Sequence, residues 1–287
     1  MVLRLDHWIA ERVTAPSFRN GFDLVRWLEK VRRRMSQPEL TATVVWPPPA
    51  RSLGRLYVHL LSRQGQRVAF AKVSFDDYND LCLRNEGEAL VKLAGLGPTA
   101  FRVPGAIDQG EFQGHRYLVM EPLPADAVAV EPSWFMVKAN VADEYAGPVR
   151  KIGSGELKSQ CWWQRFRSQT TGISAFTCEL DRMGYEDVPV CRAHGDLAPH
   201  NIVRAGRHLW VYDWEEASES APIRTDEIRF FLALQQRRIL RQPRSGPKLV
   251  AERLGVNGRE RRDVLMGLAF LHGAGVRAAQ EITKHWK

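Results

Sequence analysis

Residues 194–201 read HGDLAPHN, and residues 213–216 read DWEE. Asp196 offers a carboxylate that can accept a proton from an attacking hydroxyl. Asn201 and Asp213 offer hard oxygen ligands of the kind Mg²⁺ takes, one or two from protein and the rest from phosphate and water. Ordinary turns also use Asp, Asn and Gly, so spacing must decide. VPVCRAH (188–194) is a short apolar run, and GDLAPHN (195–201) is a loop. NIVR (201–204), the turn AGRH (205–208) and LWVYDW (209–214) make a tight hairpin. Pairing Arg204 with Leu209 sets Asn201 opposite Tyr212 and beside Asp213. An amide and a carboxylate then meet at the open end of the hairpin, with Asp196 on the same rim.

Upstream elements present a second charged pair. RLYVHLLSR (55–63) and RVAFAKVSF (67–75) read as strands joined about Gly65, and Val68, Phe70 and Lys72 share one face because side chains alternate. In NDLCLRNEGEALVKLAGLGP (79–98), Leu83, Glu86, Leu90 and Leu93 mark one face of a helix, stopped by Gly95, Gly97 and Pro98. Glu86 therefore lies on the apolar stripe, where an unpaired carboxylate is costly. Two readings are open: a rim glutamate, or a partner for Lys72.

The remaining elements are coarser. FDLVRWLEKVRRRM (22–35) has helical spacing, and ELTATVVW (39–46) reads as a strand broken by PPPARSLG. GAIDQGEF and HRYLVME form a hairpin about Gln113-Gly114. EPLPADA (121–127) breaks the pattern and marks a boundary, dividing the chain into 1–121 and 122–287. Residues 124–160 carry no readable pattern. CWWQRFRSQ, ISAFTCELDRM and most of 226–287 look helical. Strands with one helix come first and helices follow, which predicts an α+β protein with segregated lobes.

Composition bounds the partners. The 287 residues carry 41 Lys and Arg against 33 Asp and Glu, a formal charge of +8, which favours anionic partners. The four cysteines lack metal-ligand spacing and read as reduced packing residues, which suits a cytoplasmic protein. The start of the sequence is interrupted by Asp6, His7 and Glu11, unlike a secretory leader, and no apolar run would span a bilayer.

The loop and hairpin together resemble the aminoglycoside phosphotransferase and choline kinase family, which shares the protein-kinase-like fold. That family's H-G-D-x-x-x-x-N stands here as His194 to Asn201, and its D-W-E as Asp213 to Glu215. Strand Lys72 followed by helix Glu86 matches the ion pair that positions nucleotide phosphates in kinases. The resemblance implies two lobes: an N-lobe antiparallel sheet with one helix, and a mostly helical C-lobe. It implies ATP and Mg²⁺ as cofactors, and transfer of phosphate to a hydroxyl of a sugar, amino alcohol or glycan. Asp196 would orient and deprotonate the acceptor, with His194 ordering the loop. Asn201 and Asp213 would hold Mg²⁺, and Lys72 and Glu86 would serve the phosphates. The backbone around Met120, Glu121 and Leu123, in VMEPLP, would hold adenine. Asp226 matches a family aspartate that starts the next helix, or is a plain first-turn carboxylate favoured by the helix dipole.

Three features stand apart. The loop over the phosphates offers one glycine, Gly54, so Arg51, Ser52 and Arg55 would replace backbone donors with side chains. That poverty keeps a second reading open, a pseudokinase or regulatory nucleotide-binding module on the same fold. Trp162, Trp163 and Phe166 read as core, or as a wall for a sugar ring. Residues 237–262 carry nine basic side chains against Glu252 and Glu260. They form a solvated face, or a dock for an anionic acceptor or an acidic lipid surface. No motif for nucleic-acid recognition is present, so none is expected as a partner.

Overall fold

The computed structural model describes residues 22–45, 54–170, 174–254 and 259–286. Arg51 and Ser52, the start of the chain and the loop that breaks the first strand lie outside the described residues. The chain forms two compact units, one containing residues up to 91 with 104–123, the other 92–103 with the residues after 123.

The first unit holds α1 (Leu24–Arg34), β1 (Thr41–Val45), β2 (Arg55–Leu61), β3 (Arg67–Ser74) and most of α2 (Asp77–Leu96). The short β4 (Phe101–Arg102) belongs to the second unit, and β5 (Ala106–Phe112) and β6 (His115–Met120) return to the first. Its five strands form one antiparallel sheet in the order β1-β2-β3-β6-β5. Alternation sorts β3 in two directions. Ala69, Ala71 and Val73 join Phe22, Trp27 and Val31 from α1 and its approach in a buried core. Lys72 points to the opposite side. The hairpin between β5 and β6 turns through Gln113 (φ 53°) and Gly114 (φ 77°), the double left-handed geometry of a two-residue turn. Helix α2 runs through Gly95 and ends at Leu96, with Gly97 left-handed just beyond it at φ 61°.

The second unit continues with β7 (Val128–Ala129), α3 (Trp134–Val137), α4 (Asp143–Tyr145), β8 (Arg150–Ile152), α5 (Ser154–Ser159), α6 (Cys161–Gln169) and α7 (Ser174–Met183). Then come β9 (Val188–Ala193), β10 (Ile202–Ala205), β11 (His208–Val211) and β12 (Ser218–Pro222). Four helices close the chain: α8 (Thr225–Arg241), α9 (Gly246–Leu254), α10 (Arg259–Gly273) and α11 (Arg277–Lys284). The strands form two small sheets, β4-β11-β10-β7 and β12-β9-β8. Trp162, Trp163 and Phe166 are buried in one core with residues of α8, α10 and α11, as packing residues rather than a sugar wall. The division into a sheet with its helices and a mostly helical unit is the α+β, protein-kinase-like architecture expected from the sequence.

The cysteines differ from expectation. All four are free, but Cys161 and Cys178 are exposed, because they lie on the outer faces of α6 and α7; Cys82 alone is fully buried.

Candidate active site

In the first unit, Lys72 Nζ lies 3.0 and 2.8 Å from the two carboxylate oxygens of Glu86. The side chains are 7% and 1% exposed. Glu86 is thus no rim residue. The apolar stripe of α2 carries it under the sheet, and the β3 alternation delivers a cation to meet it. A desolvated pair of this kind depends on both partners, since a lone buried charge costs several kcal/mol.

Of the expected nucleotide edge, part is already engaged. Met120 pairs within the sheet, opposite Phe70. The Glu121 amide donates to the Gly105 carbonyl at 2.8 Å, and the Glu121 carboxylate accepts from the Gly105 amide at 3.0 Å. These contacts fix the backbone just ahead of Leu123.

In the second unit, the hairpin has the anticipated register. Arg204 pairs with Leu209 and Ile202 with Val211, and the Tyr212 amide donates to the Asn201 carbonyl at 3.2 Å. Asn201 therefore faces Tyr212, with Asp213 next in the chain. Asp213 is left-handed (φ 68°, ψ 53°), a conformation that Asp tolerates better than most residues. It begins the tight turn Trp214–Glu216, and oxygens of Asp213 and Glu215 come within 4.8 Å of each other.

The loop 194–201 has no sheet ladder to hold it, so side chains do so. Asp226, in the first turn of α8 and 7% exposed, accepts from the His194 amide at 2.9 Å and the Gly195 amide at 3.0 Å. It also accepts from the Tyr145 hydroxyl at 2.5 Å. Burial, then the Asp226 charge, pushes the Tyr145 phenol well above its ordinary range, so it remains a donor. Asp226 is more than a dipole-favoured carboxylate: it is the anchor of the loop. His194 holds the other side. It is fully buried, accepts at Nδ1 from the Asp196 amide (3.2 Å) and meets the Tyr212 carbonyl through Nε2 (3.1 Å). Its ring lies 4.4 Å from that of Trp214. Both nitrogens are thus occupied by backbone.

Gly195 explains how near the two loops come. At φ 79°, a Cβ added there would sit 2.1 Å from the Glu216 carbonyl oxygen, so only glycine fits. The pairing of Ser218 with Ala193 between β12 and β9 holds the same approach.

Asn201 is 3% exposed and its Nδ2 donates to the Asp196 carbonyl (2.9 Å) and carboxylate (3.1 Å). Two acceptors on one side fix the amide orientation and leave Oδ1 directed away from Asp196. The donors Asn201 Oδ1, Asp213 and Glu215 are all hard oxygens, a set that fits Mg²⁺ and not a soft metal. His200 is exposed and takes no part in it.

One residue of the site left no sequence signal. Arg229, a turn into α8, donates from Nε to Asp196 Oδ1 at 2.6 Å, and its Nη2 meets the same oxygen. The side chains are 11% and 24% exposed. A pocket of about 240 Å³ opens beside this pair, lined by Gly195, Glu215, Arg229, Gln236 and Arg277 among others. Its walls come from the loop at Gly195 and Asp196, the Glu215–Glu216 turn, α8, and the turn into α11 with its first residues, and none come from residues 124–170.

No protein-family model matches the chain, and no curated protein matches it. Solved structures do. A thermostable mutant of aminoglycoside phosphotransferase APH(4)-Ia, in a ternary complex with ADP and hygromycin B, matches with a TM-score of 0.52 at 14% identity. The match covers 90% of this chain and 95% of that one. An aminoglycoside-3'-phosphotransferase of type VIII matches with a TM-score of 0.51 at 18% identity, over 86% of this chain and 97% of the other. At this identity the likeness establishes the fold, which these phosphotransferases share.

Proposed function

We propose that the chain is a phosphotransferase that moves the γ-phosphoryl group of ATP to a hydroxyl of a small molecule, with Mg²⁺. The observation that supports this most is the pairing of Asp196 with Asn201 in a loop clamped by Asp226 and His194, against a hairpin that runs directly into Asp213.

In this reading, Asp196 receives the hydroxyl proton as that oxygen bonds to the γ-phosphorus and the bond to the ADP oxygen breaks. Asn201 and Asp213 would hold Mg²⁺, with Glu215 at hand; when bound, the ion would supply neutralisation of phosphate charge. Lys72 steadies the phosphates and Glu86 fixes Lys72. The Glu121 carbonyl and Leu123 amide read the adenine edge. His194 and Asp226 are positioning residues. The pocket beside Asp196 receives the acceptor. Its wall sets Asp196, Glu215 and Glu216 against Arg229 and Arg277, so its charge alone does not choose between a sugar or glycan and a cationic aminoglycoside.

A screen for ADP formation over sugars and amino alcohols tests this, with Asp196→Ala as control. Turnover by wild type and none above background by the variant is the expected result. Equal turnover removes Asp196 from the reaction. The ion pair of Arg229 on Asp196 favours a second reading, a nucleotide-binding module that transfers nothing. A rise in melting temperature with ATP and Mg²⁺, without ADP formation on any acceptor, would select that reading.

A further inference from the structure

Helix α8 presents two functional faces. Arg229, Leu232 and Gln236 line the pocket beside Asp196. Residues 230, 234, 237, 238 and 241 recur at helical spacing on a different side of the same helix. At the start of that side, Phe230 is buried beneath Trp134 of α3, with ring centroids 5.6 Å apart. The helical stretch that begins at α3 and continues through a π-helical turn leaves the next turns of α8 open. Leu234 is 57% exposed, and Arg237, Arg238 and Arg241 are exposed beyond it. Phe135, the neighbour of Trp134, is 83% exposed. Arg244 and Lys248 follow, both exposed.

The basic segment read from the sequence therefore divides. Arg261 is spent on Glu179, and Arg262 donates to the carbonyls of Glu186 and Asp187. Arg237, Arg238, Arg241 and Arg244 have no acidic partner among the described residues, and Lys248 meets Glu252 at an exposed 3.7 Å. A merely solvated face needs no bulky apolar side chain within it. Soluble polyanions reward the cations and gain nothing from Leu234 or Phe135. An anionic bilayer rewards both, because cations sit among the headgroups while apolar side chains reach the acyl boundary.

We propose that the α8 face formed by Leu234, Arg237, Arg238 and Arg241, with Phe135 beside it, docks on an anionic lipid surface. The docking does not rest on the phosphotransfer reading. It would carry the pocket on the adjacent face of α8 to acceptors held at that surface.

The test is co-sedimentation of the full chain with phosphatidylcholine vesicles, with and without roughly one-third phosphatidylglycerol. Binding to the acidic vesicles alone, weakened by added salt, is expected. Arg237→Glu with Arg238→Glu and Arg241→Glu should weaken it by about a hundredfold or more, at about fivefold for each cation lost. Leu234→Ser with Phe135→Ser, which leaves the charge intact, should weaken it several-fold. All five side chains are exposed, so an unchanged melting temperature serves as the folding control. Absent binding, or equal binding to neutral vesicles, overturns the proposal. So does full binding by the serine variant together with complete displacement by heparin, the result expected of a polyanion site.

Discussion

Lys72–Glu86 and Arg229–Asp196 are both cation–carboxylate pairs, and they are held by opposite means. The first joins a central strand to a helix. Ladder and packing fix both backbones, and the side chains need only meet, at 7% and 1% exposure. The second joins a helix to a loop without a ladder. There the loop backbone is fixed by other residues, Asp226 from α8 and His194 from within, and the carboxylate keeps 24% of its surface open. A pair on regular elements can be sealed away. A pair on a loop stays at an edge, and its rigidity comes from a surrounding shell. Damage to the first should register mainly as lost stability, and damage to the second mainly as lost turnover.

The largest expected break of that contrast is at Asp196. Asp196→Asn should cut phosphoryl transfer by about 10²–10⁴-fold, while ATP still raises the melting temperature. Retained turnover in a steady-state assay would put the base elsewhere. Lys72→Met comes next, with a stability loss of about 3–5 kcal/mol as the buried Glu86 loses its cation, measured by denaturant unfolding. Adding Glu86→Leu should restore most of that loss, and an additive double-mutant cycle would mean the two charges are not coupled. Asp226→Asn keeps the shape but gives up one acceptor oxygen and the charge. A loss of about 1–3 kcal/mol is expected, together with reduced turnover. Intact turnover would show that the loop does not depend on this anchor.

The smallest effect lies deeper in the second unit. Burial lowers the pKa of His272 from its ordinary 6.5, and its Nδ1 lies 2.7 Å from the Thr283 hydroxyl. The unfolded chain then takes up the proton first as pH falls. Stability should be intact above pH 6.5 and should decline below it, by at most about 1.4 kcal/mol per pH unit, until the folded imidazole also titrates. His272→Gln should flatten that slope in urea titrations at stepped pH; an unchanged slope would assign it to another group.

Legibility followed the range of the signal. The β2–β3 and β5–β6 hairpins and α2 are written in short local periods, and their residues appear where the pattern puts them. The meeting of Asn201 with Tyr212, next to Asp213, could be foreseen because a tight hairpin fixes its own register. Residues 124–160 could not be read, because β7 spans two residues and the helical stretch from Trp134 to Tyr145 passes through a π-helical turn at Lys138–Ala142, which breaks the 3.6-residue period. Arg229 was invisible for a different reason. It sits in a helix of obvious pattern, but its partner lies 33 positions away in a loop. Tyr145, which caps Asp226 from 81 positions off, is hidden in the same way. The backbone after β6 was only half legible, because nothing local announces that the Glu121 amide is spent on Gly105.

The short strand β4 has a consequence for synthesis on the ribosome. Phe101 pairs in parallel with Leu209, although residues 104–123 in between belong to the other unit. The first sheet has all its strands once residue 120 has emerged, whereas β4 must wait for the strand that completes its ladder. Neither unit can be cut out as one uninterrupted fragment, and a nascent chain stalled between residues 123 and 208 would expose an unmatched strand edge.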